Sequence, residues 1–408
     1  MVIERQKVDL MVKNKGALSN LRVLDLTRIL AGPFSTQILS DHGADVIKVE
    51  APNGDETRRW GPPFDPEGMS AYFTGVNRNK RSLAIDLSCG EGQAILMRLM
   101  QEVDVVIENF KAGQMEKWGL GYEDSLRNKF PRLVYAQITG YGSNGPMAGL
   151  PGFDAIAQVM SGLTSVNGMP DQAPVRVGTP ISDLSAGLYI TSAIMMALYE
   201  RESTNRGQKV EVSLLDCSVS LLHPHAANYF LTDESPVRLG NGHPNISPYQ
   251  MFETATCWLF IAGGNNKQFE KLVSFLGVPE LIEDERFADN AARKENEAEL
   301  NIILESVLKE QDGILLAQKL LKDGVPAGAV LEVSEVLELE QLAAREMVLE
   351  QPGYKGIGTP IKMSRTPARF RALPPQLGEH SKEVLREAKF TKEEINKLLL
   401  SGIISDSS

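Results

Sequence analysis

The sequence has few cysteines and an excess of negative charge. Its three cysteines, Cys89, Cys217 and Cys257, lie far apart and form no CxxC pair. An odd number without such spacing indicates a reducing compartment and argues against a disulfide framework or a zinc site. No set of acidic or cysteine ligands is apparent near His223 and His225, so we expect no metal site. The net charge of −11 argues against nucleic acid as a partner.

Targeting signals and membrane-spanning runs are missing as well. No apolar run reaches the roughly 18 residues that a spanning helix needs. The first twenty residues mix basic and acidic side chains, which fits neither a signal peptide nor a transit peptide. These absences predict a cytoplasmic protein that does not bind a membrane.

Strand and helix patterns alternate through the first third of the chain. Strands are predicted at 21–27, 44–50, 82–87, 104–110 and 132–142, with one helix ending at Gly43 and another at about 90–102. This order predicts an α/β fold with a parallel sheet covered on both faces. Ligands of such sheets lie beyond the carboxyl ends of the strands, which brings residues 28–32, 109–110 and 139–142 to one rim. The first turn, RILAGPF, lacks the three glycines of a nicotinamide-binding GxGxxG loop.

The second half of the chain predicts a smaller domain. The expected elements are a helix at 207–227 broken near Pro224, a mobile loop at 240–254, a strand at 258–264, helices across 268–322, a strand and a helix in 323–337, an extended stretch at 352–375 and a helix at 379–401. A chain of 408 residues is expected to form two domains. We predict a large domain at 1–225, a small α+β domain at 226–330 and a return to the large domain at 331–408.

The stretch from Thr179 to Tyr199 contains a single charge, Asp183, at its head. Apolar residues recur behind this acid at three- and four-residue intervals, which predicts a buried helix. Pro180 and Asp183 fit a helix start. Asp183 is therefore either an N-cap or a carboxylate that the helix N-terminus holds ionised in a pocket, and the local pattern supports both equally.

Basic residues are concentrated between the second and third predicted strands: Arg58, Arg59, Arg78, Lys80 and Arg81. Three aromatic residues are interleaved with them: Trp60, Tyr72 and Phe73. Such a cluster is either a solvated face or a site for a nucleotide with phosphates and a stacking base. The aromatic residues favour the nucleotide site.

Segments in order along residues 20–400 resemble the class III CoA-transferases: LDLTRILAGPFSTQILSDHGADVIKVE, NRNKRSLAIDL, DVVIENF, ITGYG, GFDAIAQVMSGL, SDLSAGLY and GNGHPNISPYQ. The VNRNKR, GLGYED, ITGYG and AGGNN segments look most like dicarboxylate CoA-transferases of the succinate–hydroxymethylglutarate type. The resemblance implies a Rossmann-like large domain, a smaller domain and a homodimer of two interlocked rings.

The resemblance also implies a reaction, in which CoA moves from an acyl-CoA, expected to be succinyl-CoA, to a dicarboxylic acid without a tightly bound cofactor. The family's nucleophile falls on Asp183, which would form a mixed anhydride and then an aspartyl-CoA thioester. A second active-site acid falls on Asp154, whose alternative role is the N-cap of the helix that follows it.

The remaining implied site residues fall into two groups. The CoA-binding group comprises Ile29, Leu30, Ala31, Arg78, Lys80, Arg81, Asn109, Phe110, Lys117 and Phe153. The acyl group and its covering flap would involve Arg28, Gly240, Asn241, Gly242 and His243. The flap would exclude water from the intermediate, unless it is an ordinary turn.

Three positions depart from patterns within the family. Leu30 replaces the glutamine of formyl-CoA transferases, which speaks against formyl or oxalyl specificity, and Ala51 replaces a basic residue after the second strand. Phe153 replaces a histidine of related acyl-CoA racemases, so half of their acid–base pair is missing. A transferase is thus favoured over a racemase or a non-catalytic CoA-binding protein. A dicarboxylate also needs a cation, for which Arg28 and Arg78 are candidates.

Overall fold

A computed structural model describes residues 16–407. Within these residues the chain forms twelve β-strands: β1 (Arg22–Asp25), β2 (Asp45–Glu50), β3 (Lys80–Ile85), β4 (Val105–Glu108), β5 (Val134–Thr139), β6 (Lys209–Ser213), β7 (Tyr249–Glu253), β8 (Trp258–Ala262), β9 (Ala327–Ala329), β10 (Val348–Gln351), β11 (Tyr354–Ile357) and β12 (Ile404–Ser405).

The α-helices of the described chain are α1 (Ala31–Asp41), α2 (Ala71–Thr74), α3 (Gly90–Leu99), α4 (Gln114–Lys117), α5 (Arg127–Lys129), α6 (Asp154–Met160), α7 (Leu163–Val166), α8 (Ile181–Thr204), α9 (Leu214–Ser220), α10 (His225–Thr232), α11 (Asn266–Phe275), α12 (Asn290–Glu295), α13 (Glu297–Leu308), α14 (Gly313–Lys322), α15 (Val333–Leu337), α16 (Glu340–Ala344), α17 (Ser381–Glu387) and α18 (Lys392–Leu400). Short 3₁₀ turns occur at Glu56–Arg59, Met100–Glu102, Pro279–Ile282 and Glu285–Phe287, and a π turn at Tyr122–Leu126.

The described chain divides into two compact units. The first runs to Leu163 and continues through Val177–His223 and from Glu346 to the C-terminal end, and the second comprises Thr164–Arg176 and Pro224–Arg345. The small domain predicted at 226–330 starts close to the observed junction, but it omits Thr164–Arg176 and ends 15 residues early. The omitted segment has little regular structure, so its periodicity gave no signal.

The first unit is built on a seven-stranded sheet in the order β12-β3-β2-β1-β4-β5-β6. β1 to β6 pair in parallel, and β12 is antiparallel to β3. The predicted parallel sheet is therefore confirmed. An order of 3-2-1-4-5-6 is that of doubly wound folds, whose winding reverses between β1 and β4 and opens a crevice at the carboxyl ends of these strands.

The helix α8 covers this sheet. Its buried residues Ala186, Ile190 and Ile194 belong to a core cluster with residues of β1, β4 and β5. Gly187 lies where α8 meets α1, since a Cβ at this position would stand 2.7 Å from the carbonyl oxygen of Ala31. By length and composition alone, α8 is also the one helix within residues 16–407 that could cross a membrane, a test that buried core helices pass as well.

The second unit has a three-stranded antiparallel sheet, in the order β7-β8-β9. Phe252, Leu259 and Ile261 on these strands are buried together with leucines of α11, α13 and α14. The fully buried Arg293 of α12 donates hydrogen bonds to the carbonyl oxygens of Ser247 and Phe287, both at 3.0 Å. This arrangement of an antiparallel sheet with segregated helices is an α+β architecture.

Three predicted elements differ from the structure. The helix predicted at 207–227 begins as the strand β6, which pairs with β5, and only then continues as α9 and α10. Its five residues alternate with a period of two, a short signal that the longer helical pattern behind it obscured. β3 begins at Lys80, two residues before the predicted strand. The stretch predicted as extended at 352–375 contains β11, which forms a hairpin with β10.

Two lysine side chains are fully buried beneath the carboxyl edge of the sheet, where charged groups require partners. The ammonium of Lys80 donates to Asp25 Oδ2 at 3.1 Å and to the carbonyl oxygen of Pro33 at 2.9 Å. The ammonium of Lys48 donates to the carbonyl oxygen of Thr27 at 2.9 Å. Although burial opposes ionisation, Lys80 and Lys48 hold the pKa of Asp25 below its ordinary value. These contacts fix the backbone on either side of residues 28–32.

Replacing Lys80 by methionine is expected to lower the free energy of unfolding by about 3–5 kcal/mol, because the Asp25 carboxylate would be left buried without its partner. The measurement is urea unfolding followed by tryptophan fluorescence. The matched control is Lys355→Met, which removes an exposed pair 3.8 Å from Glu350 and should change stability by less than about 0.5 kcal/mol. Equal midpoints for the two variants would show that the buried pair is not needed.

Candidate active site

A cavity of about 350 Å³ opens at the carboxyl ends of the parallel strands in the first unit. Its wall is formed by residues near the carboxyl ends of β1, β2, β3 and β4 and in the segments that follow these strands: Leu26, Arg28, Val49, Glu50, Ala51, Asn53, Gly54, Asp55, Glu56, Arg59, Ile85, Asp86, Leu87, Ser88, Phe110 and Trp118. This is the crevice that the strand order predicts, and its volume is typical of a small-molecule site. We call it the rim cavity.

Two arginines provide the positive charge of the rim cavity. Arg28 is half exposed, with a guanidinium nitrogen 4.0 Å from Glu56 and its guanidinium carbon 5.8 Å from the ring centre of Phe110. Arg59 donates to the carbonyl oxygen of Asn53 at 3.1 Å and forms no ion pair within the described residues. Both guanidinium groups are thus able to meet an anionic ligand.

Residues 27–31, which lead from β1 into the start of α1, form a rim loop that is held from several sides. Asn109 accepts a hydrogen bond from the backbone N–H of Arg28 and donates one to its carbonyl oxygen, both at 2.9 Å. Asp55 accepts from the N–H of Ile29 at 3.3 Å. Ile29 has φ of +71°, a conformation that a β-branched residue rarely adopts and that costs on the order of 1–3 kcal/mol. The hydrogen bonds that Asn109 and Asp55 make with the backbone of the rim loop offset this conformational cost.

Asp183 is the third residue of α8 and is half-buried. Pro180 occupies the N-cap position, and its own side chain makes no capping hydrogen bond. The N-cap interpretation of Asp183 is therefore wrong. Asp183 lies one helical turn before Gly187, which contacts Ala31 at the end of the rim loop, so the first turn of α8 stands beside that loop.

Asp154 is the first residue of α6, which follows β5, and Phe153 is the N-cap of that helix. The carboxylate does not cap its own helix. Asp154 Oδ1 accepts from the N–H groups of Ser182 at 2.8 Å and Asp183 at 3.3 Å, while Oδ2 accepts from Gln158 Nε2 at 2.7 Å. Asp154 thus satisfies the orphan donors of α8, the role that sequence patterns suggested for Asp183.

Two glycines bring the Asp154 segment to the end of β5. A Cβ on Gly140, which ends ITG, would lie 2.6 Å from the Cα of Gly152, just before Phe153 and Asp154. Any larger residue at either position would push the two backbones apart. The glycines of the ITGYG and GFD segments therefore place a carboxylate beside the first turn of α8.

The surroundings of Asp183 shift the pKa of its carboxyl group. Burial, and then the neighbouring carboxylate of Asp154, raise the pKa of Asp183 to about 7. This upward shift is opposite in direction to the prediction that the helix N-terminus holds Asp183 ionised. Burial, followed by the charges of Asp183, Asp154 and Asp55, raises the pKa of Tyr72 to about 12, so this nearby hydroxyl stays neutral.

The predicted phosphate cluster is not assembled as expected. Arg78 forms an ion pair with Asp41 at 2.6 Å, and Lys80 is buried against Asp25 as described above. Arg81 contacts Asp45 at 2.7 Å and also two carboxylates of α17. The charges of these three cations are already paired with carboxylates. The three side chains therefore stabilise the fold and do not form a phosphate site.

The other members of that cluster are also engaged, with one exception. Arg58 pairs with Glu50 at 2.7 Å, and its guanidinium stacks on the ring of the fully buried Phe73 at 3.8 Å. Phe73 cannot stack on a base from that position, which corrects the prediction. Only Arg59 of the five basic residues lies on the wall of the rim cavity.

The remaining predicted residues have varied surroundings. Leu30 and Ala31 are buried, Phe110 stacks edge-on against Trp118 at 5.2 Å, and Phe153 and Lys117 are exposed. The predicted flap belongs to the second unit. There Gly240 has φ of +59°, and its N–H donates to the carbonyl oxygen of Gly168 at 3.0 Å. The ring of His243 packs against Tyr249 at 5.2 Å.

Sequence reasoning missed several residues of the site. Trp118 and Asn53 lie in stretches that resemble ordinary loops. Lys48 could have been recognised in the sequence as a charged residue inside the strand β2. Glu108 could have been recognised as an acid at the end of β4. Residues 16–407 contain no group of three or more side chains suited to hold a metal ion.

The chain is similar to known proteins over most of its length. The sequence model described as CoA-transferase family III matches residues 18–381. A succinate–glutarate CoA-transferase of Agrobacterium fabrum is 42% identical over 92% of this chain and 97% of its own. A succinyl-CoA:glutarate CoA-transferase of Mus musculus is 39% identical over 95% of this chain and 90% of its own. The crystal structure of a CAIB/BAIF family protein from Brucella suis is 44% identical, with a TM-score of 0.83 over 91% of this chain and 99% of its own.

The raised pKa of Asp183 is open to direct measurement. Subtracting the potentiometric titration of Asp183→Asn from that of the unchanged protein should give a proton released with a midpoint near pH 7. In an Asp154→Asn background the midpoint should fall, because the repelling charge is gone while an oxygen remains to accept from Ser182. It should stay above the ordinary value of 3.8, because burial is the larger cause. A midpoint below 5 in the unchanged protein would contradict this assignment.

Proposed function

The chain belongs to CoA-transferase family III, and from this premise we propose that it transfers CoA from succinyl-CoA to a dicarboxylic acid through a covalent intermediate on Asp183. The observation that carries this proposal is the half-buried carboxyl of Asp183 in the first turn of α8, beside the rim loop that leads to the rim cavity. The names of the similar transferases, with succinate or succinyl-CoA and glutarate as substrates, support the choice of substrates.

The reaction needs Asp183 to act as a nucleophile. Its ionised carboxylate attacks the thioester carbonyl of succinyl-CoA and expels the CoA thiolate, which leaves a mixed succinyl–aspartyl anhydride. The thiolate then attacks the aspartyl carbonyl, succinate leaves, and an aspartyl-CoA thioester remains. The acceptor carboxylate attacks this thioester and releases the thiolate again. Attack of the thiolate on the acceptor carbonyl gives the new acyl-CoA and restores the carboxylate, so that each step exchanges one bond for another.

The perturbed pKa of Asp183 has two opposite effects on this chemistry. A carboxylate whose conjugate acid has a pKa of about 7 is more basic than an ordinary one, and therefore a stronger nucleophile. Below neutral pH, however, the group is protonated and cannot attack. Asp154 acts as a positioning residue, because its Oδ1 holds the N–H groups of Ser182 and Asp183.

The rim cavity suits CoA. Arg59 offers a cation for phosphate, and Phe110 and Trp118 offer an apolar and aromatic wall. We assign Arg28 to the distal carboxylate of the dicarboxylate, since Arg78 is buried against Asp41 and is not available.

We further propose that the protein works as a homodimer in the cytoplasm. Large apolar side chains of the first unit are exposed on α6 and α8: Ile156, Val159, Met160, Leu188, Tyr189, Met195, Met196 and Tyr199. A surface of this kind is typical of an interface, and a second copy of this chain, in the interlocked arrangement that the resemblance implies, would bury it. The three unpaired cysteines fit a reducing compartment.

The covalent step is tested by mass spectrometry of the intact protein after brief mixing with succinyl-CoA. We expect a CoA- or succinyl-sized adduct that maps to the peptide with Asp183 and is absent from Asp183→Ala. The matched control is Asp124→Ala, which removes an exposed acid outside the site and should keep the adduct. CoA binding without an adduct, together with deuterium exchange at the α-carbon of an acyl-CoA, would instead indicate a racemase.

The role of Arg28 is tested by Arg28→Met. Loss of a charge-assisted pair with the distal carboxylate should lower the preference for glutarate over a monocarboxylate of equal length about tenfold in kcat/KM. Arg59→Met is the matched comparison, since it should weaken CoA binding and leave that preference unchanged. If Arg28→Met weakens CoA binding and spares the preference, Arg28 belongs to the CoA site.

A further inference from the structure

Glu108 is a buried carboxyl directly behind the wall of the rim cavity. It is the last residue of β4 and is 1% exposed. Within the part of the chain that the structure describes, no lysine, arginine or histidine forms an ion pair with it. A carboxylate in such surroundings needs hydrogen-bond donors or a proton.

The donors around Glu108 come from two elements. Oε2 accepts from the backbone N–H of Phe110 at 2.7 Å. Oε1 accepts from the hydroxyl of Tyr135 at 3.0 Å and from Nε2 of Gln137 at 2.6 Å, both on β5. The side-chain oxygen of Gln137 is buried without a partner. One carboxyl therefore ties the turn after β4 to the neighbouring strand.

That turn supports both sides of the rim cavity. Asn109 holds the backbone of Arg28 in the rim loop through two hydrogen bonds. Phe110 packs edge-on against Trp118, and both rings lie on the cavity wall. A change in the hydrogen bonds of Glu108 would therefore affect the positions of Phe110 and, through Asn109, of Arg28. Both of these side chains line the rim cavity.

The surroundings of Glu108 accommodate a proton. Burial raises its pKa to about 7 against the effect of its hydrogen bonds, and Glu116 on α4 adds a smaller push in the same direction. The neutral carboxyl can keep Oε2 as the acceptor for Phe110 and donate its proton from Oε1 to the hydroxyl oxygen of Tyr135. If the amide of Gln137 turns over, its unpartnered oxygen also becomes an acceptor.

We propose that Glu108 is a positioning residue that couples CoA binding to the uptake of a proton, with the neutral carboxyl as the CoA-bound form. This inference rests on the proposed function, in that the rim cavity holds CoA. The phosphates of CoA bring negative charge to a wall that contacts Glu108 through Phe110, and this charge disfavours the ionised carboxylate. The facing titratable and charged groups are Tyr135 from β5, Glu116 from α4 and Arg28 from the rim loop.

The sign of the pH dependence follows from this coupling. Free protein loses the Glu108 proton as the pH rises through about 7, and the CoA complex retains it to higher pH. Above neutrality, binding must therefore take up a proton. The affinity for CoA should fall with rising pH, by at most about tenfold per pH unit for one proton.

Calorimetric titration with CoA measures this proton directly. The experiment uses the Asp183→Asn protein, because Asp183 also titrates near neutrality and its removal stops the chemistry. Titrations at pH 7.5 in two buffers with different ionisation enthalpies give the number of protons taken up. CoA itself titrates, but its contribution is common to all variants and cancels in their comparison.

Glu108→Gln, added to Asp183→Asn, mimics the neutral carboxyl. Its carbonyl oxygen can accept from Phe110, and its amide can donate to Tyr135. We expect smaller proton uptake and a flatter decline of CoA affinity between pH 7 and 8.5. The matched control, Glu123→Gln in the same background, neutralises an exposed acid that pairs with Arg127 and should behave like the parent.

The outcomes separate this inference from the proposed function. Equal proton uptake with glutamate and glutamine at position 108 overturns the inference and leaves the CoA site intact. Absence of CoA binding in every variant overturns the proposed function itself. If Glu108→Gln does not fold, Tyr135→Phe serves instead. Tyr135→Phe removes a donor to the ionised carboxylate and should therefore raise the pKa of Glu108. The decline in CoA affinity should then begin at higher pH, and an unshifted profile would overturn the inference.

Discussion

The buried ion pairs beneath the rim loop are the interaction on which the candidate site depends. Lys80 donates a hydrogen bond to the carbonyl oxygen of Pro33, and Lys48 donates one to the carbonyl oxygen of Thr27. Asp25 balances the charge of Lys80, and Asp55 balances that of Lys48. Burying four ionised groups has a high desolvation cost, and an apolar core of the same volume is often at least as stable. What the ions provide is directional contacts to carbonyl oxygens that no alkyl side chain can make. The left-handed Ile29 persists because the backbone on both sides of it is fixed in this way.

The site combines a rigidly held backbone with carboxyl groups whose pKa is raised. Burial raises the pKa of both Asp183 and Glu108 to about 7, but their surroundings differ. Glu108 has three donors, and its ionised form is therefore tolerated behind the cavity wall. Asp183 stands beside the carboxylate of Asp154, whose oxygen already accepts from the first N–H groups of α8. The positive end of the helix dipole therefore stabilises mainly Asp154. A carboxylate left so poorly stabilised is a reactive one.

The sequence predicted the layers of the first unit and the location of the rim, because strand periodicity and the position of strand ends are local signals. It also brought Asp183 and Asp154 together through the resemblance of their segments to one family. It failed for Arg78 and Arg81, since their partners, Asp41, Asp45 and the carboxylates of α17, are distant along the chain or carry no pattern. Adjacent positive charges in a sequence indicate nothing about which of them will be neutralised inside the fold. The β6 strand was missed for a related reason, as its period-two signal is only five residues long and its pairing with β5 cannot be seen in the sequence.

The contact between Gly140 and Gly152 has a consequence for how this enzyme can diversify. Because the two backbones meet without side chains, the residues from 141 to 151 form a closed excursion whose ends are pinned together, and most of them are exposed. Closing a longer excursion costs only a little more chain entropy. Insertions can therefore accumulate there while Asp154 keeps its place at α8. The same property makes the excursion a natural attachment point for an added peptide or reporter in an engineered version of the protein.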